Sequence, residues 1–287
     1  MSTQITTAFV EQYSSNIQML SQQKGSLLRD KVRLESVVGK NAFFDQVGSV
    51  TATVRTTRHS DTPQSDTPHS RRRVSLADYE FADLIDDLDK VRMLADPTSS
   101  YAQAAAYAMG RAMDDVIITA ATGSADTGVA GGTAVALPAG QIIAETGTTG
   151  MTIAKLREAK EILDLADVDP SLPRFIVVSP KQVTDLLGTT EVTSSDFNTV
   201  KALASGDVNS FLGFNFVVSN RLAAASSIRD CIAFVNDGIT LALGKDVTAR
   251  IDERADKGYA TQVYYSMAIG ATRMEEEKVV KIQAYEA

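Results

Sequence analysis

The chain has 287 residues, 44% hydrophobic and 22% charged, with a formal net charge of −8 and a pI near 4.9. This is the balance of an ordinary globular protein with one large domain or two intimate ones, and its acidic surface excludes all but local, weak contact with nucleic acid. No run approaches the ~18 apolar residues of a membrane span, the polar start MSTQITTAFVEQY is no secretion signal, and the lone Cys231 excludes an intrachain disulfide.

At the N-terminus Phe9, Tyr13, Ile17 and Leu20 recur at helical spacing between residues 6 and 23, which predicts an amphipathic arm in need of a partner surface. Residues 28–38 alternate like a strand. Val50, Ala52 and Val54 then alternate with Thr51, Thr53 and Arg55, a β-branched strand pattern, and residues 74–81 offer a second strand. Between them lies RTTRHSDTPQSDTPHSRRR, which holds both histidines and almost no apolar residue. Pro63 and Pro68, preceded by Ser, Asp and Thr, are turn chemistry. Residues 47–81 therefore read as a two-stranded ribbon with a polar tip and arms reaching ~40 Å. An isolated ribbon is marginal in water, so a second copy of the chain is its most economical support.

Leu84, Leu88, Val91 and Ala95 predict a short acidic helix. The stretch DPTSSYAQAAAYAMGRAMDDVIITAATG follows, with Asp96 as cap, Pro97 at the first helical position and Gly123 as a left-handed stop, giving a buried helix of ~26 residues and ~39 Å. Gly110 inside it costs roughly 1 kcal/mol against Ala, which implies that backbone packs there. After a Gly-, Ala- and Thr-rich segment with short strands at 134–137 and 141–144, MTIAKLREAKEILDLADVDPSLPRFIVVSP reads as helix, turn and buried strand. Residues 181–187 read as a helix, and 211–219, 231–235, 247–252, 261–273 and 279–285 as strands.

Several constellations have a catalytic or metal-binding look and a simpler explanation. His59, Asp61, Asp66 and His69 are zinc-type ligands at a spacing that fits no helix or knuckle, so a solvated turn-rich tip is preferred. Ala125–Gly128, ADTG, has the Asp126-Thr-Gly of an aspartic protease, but in one copy and without the apolar strand before it. No nucleophile elbow, phosphate loop or dinucleotide fingerprint occurs. Cys231, inside CIAFV, reads as a buried inert thiol. Charge is more informative: residues 55–73 carry five arginines against two aspartates, whereas residues 78–96 carry seven acids against Lys90 and Arg92. Opposite neighbouring segments suit head-to-tail contact between copies.

The order of arm, ribbon, long helix, mixed region and returning strands resembles the major capsid proteins of tailed bacteriophages, whose Hong Kong-type fold is shared by encapsulins and herpesvirus coat proteins. The residues that carry the resemblance are the long-helix stretch, the helix-to-strand stretch, and the tail GKDVTARIDERADKGYATQVYYSMAIGATRMEEEKVV, which is most similar to podovirus-like coat proteins. It covers essentially the whole chain. The resemblance implies an α+β capsid fold with an N-terminal arm (residues 1–46), an extended β-hairpin loop (47–81), a long spine helix with peripheral domain (82–150), an axial domain (151–240) and return strands of the peripheral domain (241–287). It implies a structural, non-enzymatic protein with no cofactor, which self-assembles in the host bacterial cytoplasm into hexamers and pentamers of an icosahedral virion shell around DNA. Arg55, Arg58, Arg71, Arg72 and Arg73 of the loop are then expected to meet Asp83, Asp86, Asp87, Asp114 and Asp115 of a neighbour. No lysine lies between Lys40 and Lys90, so the loop-lysine cross-link of some members is not expected. Room for a long scaffolding segment is lacking, which implies a separate scaffolding protein beside a portal and optional decoration proteins. An encapsulin-like compartment and a hydrolase using Asp126 or the histidines are the alternatives.

Overall fold

A computed structural model describes residues 21–59, 61–62, 64–86, 98–145, 147–188 and 210–286. The chain divides into a larger compact unit, Leu27–Ala77, Ala112–Gly244 and Ala268–Ala287, and a smaller one, Met1–Ser26, Asp78–Arg111 and Lys245–Met267.

The larger unit is organised by its most apolar strands. RFIVV and IRDCIAFV are the β-branched and aromatic runs that favour a sheet covered on both faces. They form β8 (Arg174–Val178) and β12 (Ile228–Val235), the centre of a seven-stranded mixed sheet. β12 pairs antiparallel with β8 and with β15 (Val279–Tyr285), β10 (Phe214–Val218) runs parallel to β8, and β7 (Ile142–Ile143) lies parallel to β15 at one edge. The hairpin strand β9 (Ser210–Phe211) closes the other edge and β11 (Ala224–Ala225) pairs with β12. Ile176, Val178, Ala233, Val235, Val280 and Ile282 are all fully buried.

Two helices serve this sheet. One, Ile153–Leu165, starts where the Thr152 hydroxyl accepts from the Lys155 amide, and its Leu156, Ala159 and Leu163 stripe is fully buried. Each leucine removed from water there contributes roughly 2 kcal/mol. The other, Pro180–Leu187, has Ser179 as its cap and proline at the first position. At the end of β15, Glu286 accepts from Arg229 Nε and Nη2 at 3.0 and 2.9 Å and from Ser179 Oγ at 2.8 Å. The Arg229 hydrogen bonds, against the opposing effect of burial, hold the Glu286 carboxyl below its ordinary range.

A second, all-antiparallel sheet in this unit has the order β2 (Asn41–Val47), β3 (His69–Ser75), β5 (Ala125–Thr127), β6 (Thr133–Val135). Ala42, Phe44 and Leu76 pack on Val37, Val74 and Ala242 beneath it. β1 (Arg33–Ser36) pairs parallel with the first residues of β13 (Ile239–Arg254), within a four-stranded sheet of order β1, β13, β14 (Ala260–Arg273), β4 (Ala77–Ile85). In the smaller unit this sheet consists of residues 245–254, 260–267 and 78–85, with Lys245 Nζ donating to Ser266 Oγ and Tyr264 Oη to Glu80 Oε1.

The long helix is present as Thr98–Thr122, 25 residues, and passes from the smaller to the larger unit after Arg111. Asp96 and Pro97 lie outside the described residues. Its burial is a stripe and not the whole circumference: Ala105, Met109, Met113, Ile117 and Ala121, each four apart or nearly so, are buried while Tyr101 is exposed. Gly123 ends it without a left-handed φ, so the expected stop is replaced by another device described below. Gly110 does meet backbone. A Cβ there would lie 2.4 Å from the carbonyl carbon of Gly25 and 2.6 Å from the Ser26 nitrogen, and Arg111 Nη1 donates to Gln22 Oε1 at 3.0 Å beside this crossing.

The ribbon is displaced from its expected place. Its paired arms are 41–47 and 69–75, because Phe44 and Val74 can reach the core whereas Val50, Ala52 and Val54 have nothing to bury against. Residues 50–55 form no strand, and 74–81 is split at Leu76 between β3 and β4, which belong to different sheets. Leu84, expected in a helix, lies in β4, and the rest of that segment, like the amphipathic arm at 6–20, lies outside the described residues.

Gly110→Ala tests the crossing with opposite signs: helix propensity favours alanine by about 1 kcal/mol, yet contact with Gly25 requires the variant to melt below the parent in calorimetry. For Glu286 the lowered folded pKa means stability that is present above the unfolded value near ~4.3 and is lost as pH falls through the folded one. Urea titrations of Glu286→Gln and the parent should therefore differ at neutral pH and converge in acid.

Candidate assembly interface

The three consecutive arginines of β3 alternate faces, as a strand requires. Arg72 points into the unit and is buried, and Arg71 and Arg73 point outward. Arg72 Nε donates to the Met274 carbonyl at 2.9 Å and Nη2 to both oxygens of Glu276 at 2.7 and 2.5 Å. Gln46 Nε2, on the same face of β2, donates to the same Met274 carbonyl at 2.7 Å.

Glu276 is shared with Arg273, whose Nη2 lies 3.7 Å from Oε1. Arg273 is fully buried. Its Nη1 donates to the carbonyls of Ala121 at 3.0 Å and Gly123 at 2.7 Å, and its Nη2 to Val135 at 3.1 Å. A cation therefore caps the C-terminus of the long helix, where orphaned carbonyls and the helix dipole favour positive charge. Burial pulls this guanidinium below its ordinary value and Glu276 opposes that shift.

On the outer face Arg71 Nε donates to Asp45 Oδ1 at 2.5 Å and the guanidinium lies 5.6 Å from the Phe43 ring. The Arg71 hydrogen bond holds the Asp45 carboxyl below its ordinary range. Arg73 Nη2 donates to Asp126 Oδ2 at 2.6 Å, and Gly131, at φ +65°, lies against the Arg73 side chain where a Cβ would come within 2.6 Å. The aspartate of ADTG is thus one partner of an ion pair across two strands. Among the described residues no group of three or more His, Cys, Asp or Glu could hold a metal ion. Burial pushes the Cys231 thiol up to about 12, which keeps it protonated and inert.

These contacts fasten the base of a long loop. Gly48 N donates to the Pro68 carbonyl at 2.8 Å, and beyond that bond the described residues form no strand. Every described residue from 47 to 70 is exposed, with Val54 at 88%. Loops of this length without secondary structure are uncommon in a packed chain and often carry function.

The expected contact residues therefore separate into two groups. Within their own chain Arg71, Arg72 and Arg73 are paired with Asp45, Glu276 and Asp126. Asp114 is fully buried and accepts from the amides of Leu27 and Leu28 at 3.1 Å, and Asp115 is paired with Arg221. The reason is local: each of these charges has an opposite charge or an orphaned backbone donor within reach in its own fold. Arg55 and Arg58 on the loop, Asp83 in β4 and Asp86 just after it are exposed, and Asp87 lies outside the described residues. The organising residues Arg273, Glu276 and Gln46 were not singled out by sequence reasoning. Arg273 leaves a signal, since it shares the parity of Val263, Met267 and Ile269 and so places a charge on the buried face of β14.

A family model described as phage capsid protein matches residues 5–286. The chain belongs to the phage capsid protein family. Among solved structures the capsid of cyanophage P-SCSP1u is similar at 17% identity and a TM-score of 0.76, covering 100% of this chain and 96% of that one. The capsid of Ralstonia phage GP4 is similar at 12% identity and 0.75 (97% and 96%), as is the acid-stable capsid of Helicobacter pylori bacteriophage KHP30 at 10% and 0.75 (97% and 96%). A search of curated protein sequences finds no significant match. The capsid protein is a major coat component and a structural, self-associating protein of the virion, with the α+β capsid fold. The compartment-shell and hydrolase readings gain no support from these likenesses.

In this capsid protein Arg72→Met removes a cation from half-buried Glu276 and a donor from the Met274 carbonyl, and unfolding in urea is expected to lose about 3 kcal/mol. Arg71→Ala, at an exposed pair, is expected to leave the urea midpoint almost unchanged.

Proposed function

We propose that copies of this chain form the hexamers and pentamers of an icosahedral shell enclosing a DNA genome, with residues 47–81 acting as the loop that reaches over an adjacent subunit. The observation that carries this reading is the loop itself: the described residues from 47 to 70 are exposed, yet their base is fixed by buried charge and by a four-stranded sheet. Rigid anchoring of an uncovered segment is useful only if something outside the chain covers it. The 82–150 segment with its long helix belongs in this scheme to the spine and peripheral domain, residues 151–240 to an axial domain and residues 241–287 to returning peripheral strands.

The mechanism is interface energy multiplied over many copies, since obligate assemblies bury large areas per subunit. No chemical step is required, and the chain acts without catalysis or cofactor. The net charge of −8 suits a shell that lets DNA move during packaging, with only weak nonspecific contact. Assembly in the host cytoplasm with a separate scaffolding protein and a portal, and optional decoration from outside, complete the proposal.

Sedimentation and negative-stain microscopy of the protein, alone and with candidate scaffolding partners, test it. Closed shells or capsomer rings are expected, and a monodisperse monomer under all conditions overturns the reading. Trypsin supplies a second measurement: the dissociated chain should be cut first after Arg55 and Arg58, and assembly should slow that cleavage by about tenfold or more.

A further inference from the structure

Two features of the chain are incomplete in complementary ways. The first is Val50–Val54, a β-branched alternating run with strand propensity that forms no strand, although the residues on either side are fixed at Gly48 and Pro68. Local preference and observed conformation disagree here, and such disagreement falls at functional sites. The second is β4, the terminal strand of its sheet, with β14 on one side and, among the described residues, no strand on the other. Ala82, Asp83 and Leu84 are exposed in succession, so the end of this strand is open on both faces.

Charge selects this edge over the others. β4 carries Asp78, Glu80 and Asp83, all exposed, and no cation. Tyr264 Oη takes one oxygen of Glu80 and the Leu84 amide one oxygen of Asp83, which leaves the net charge of the strand undiminished. The residues that follow Val54 are Arg55, Thr56, Thr57 and Arg58, with no acid between residues 50 and 60. At the other candidate edges charge is already balanced within the chain: Asp45 of β2 by Arg71, and Glu35 of β1 by Arg33. Strand addition to an open edge supplies affinity through backbone hydrogen bonds and specificity through flanking side chains.

We infer that residues 50–54 of one copy add as a further strand to the free edge of β4 in a neighbouring copy, with Arg55 and Arg58 meeting Asp78, Glu80 and Asp83. The partner is a second copy of this chain, and the inference rests on the shell reading above while fixing which backbone meets which. The five residues span ~17 Å of the ~30 Å edge, enough for two or three ladder bonds.

Amide hydrogen exchange compares dissociated protein with assembled particles isolated by sedimentation. Exchange at residues 50–54 and in β4 should slow together by about tenfold or more on assembly. Thr51→Pro with Thr53→Pro removes donors in a stretch that forms no strand pairing among the described residues, and the concentration needed for assembly should rise about tenfold while the melting temperature of the dissociated chain holds. Arg55→Glu with Arg58→Glu should impair assembly, and Asp78→Arg with Asp83→Arg in the same chain should restore it. Particles in which these amides exchange as fast as in the dissociated chain overturn the inference and leave the shell reading standing. Protection of residues 50–54 with β2 in place of β4 also overturns it. Absence of any particle defeats the shell reading itself, and this inference with it.

Discussion

A single carboxylate shared by two buried arginines organises the larger unit. Glu276 accepts from Arg72 Nη2 of β3 and lies beside Arg273 at the end of β14, and Arg273 closes the carbonyls of Ala121, Gly123 and Val135. One charge cluster therefore ties the loop base, the end of the long helix and the β5–β6 hairpin to one another. Burying two arginines with a half-buried carboxylate is costly, and replacement by apolar residues can be neutral in other proteins. What apolar residues could not do is satisfy helix-end carbonyls and set the register of β3 at the same time. Directional bonds fix one arrangement where hydrophobic contact would accept several.

That fixity matters because the functional surface has so little to hold it. From Val47 to Ser70 the chain makes a loop whose described side chains all face solvent, and a mobile base would multiply the entropy lost on docking. The Gln46 and Arg72 bonds to one carbonyl, the Arg71–Asp45 pair and the Gly48–Pro68 ladder bond together limit the loop to one point of departure. The seven-stranded sheet plays a different part. Its central strands are apolar on both faces and covered by the Leu156, Ala159 and Leu163 stripe, so its stability comes from ordinary burial and leaves the polar devices to the loop.

The same partition explains why charge was a partial guide to the contact residues. Five arginines beside seven acids is a property of composition, and it points to ionic pairing without saying in which molecule. Folding brings Asp45, Asp126 and Glu276 to Arg71, Arg73 and Arg72, so part of this charge is paired within the chain. Glu276 is 204 residues from Arg72, beyond the reach of local pattern. Arg55, Arg58 and the acids of β4 are exposed, and the proposed contact uses these.

Legibility followed the range of the interaction. The long helix, the helix-to-strand passage, β12, β14 and β15 were readable because 3.6-residue and 2-residue periodicities are local, and Gly110 was readable because a glycine that lowers helix propensity implies a close neighbour. The resemblance to capsid proteins rested on the order of these elements, so the family was already in the sequence. Which stretches become the ribbon arms was not, since Asn41–Val47 and Val50–Val54 have similar propensity and only the first meets a core of Val37, Val74 and Ala242. Nor was the helix stop: Gly123 has the expected residue type, but the carbonyls it leaves are closed by Arg273, a partner 150 residues away. The sequence by itself determined the elements, their order and the family, because those depend on short-range pattern. The tertiary structure alone decided which charges are paired inside the subunit and which face outward, because that depends on what folding brings within a few ångströms.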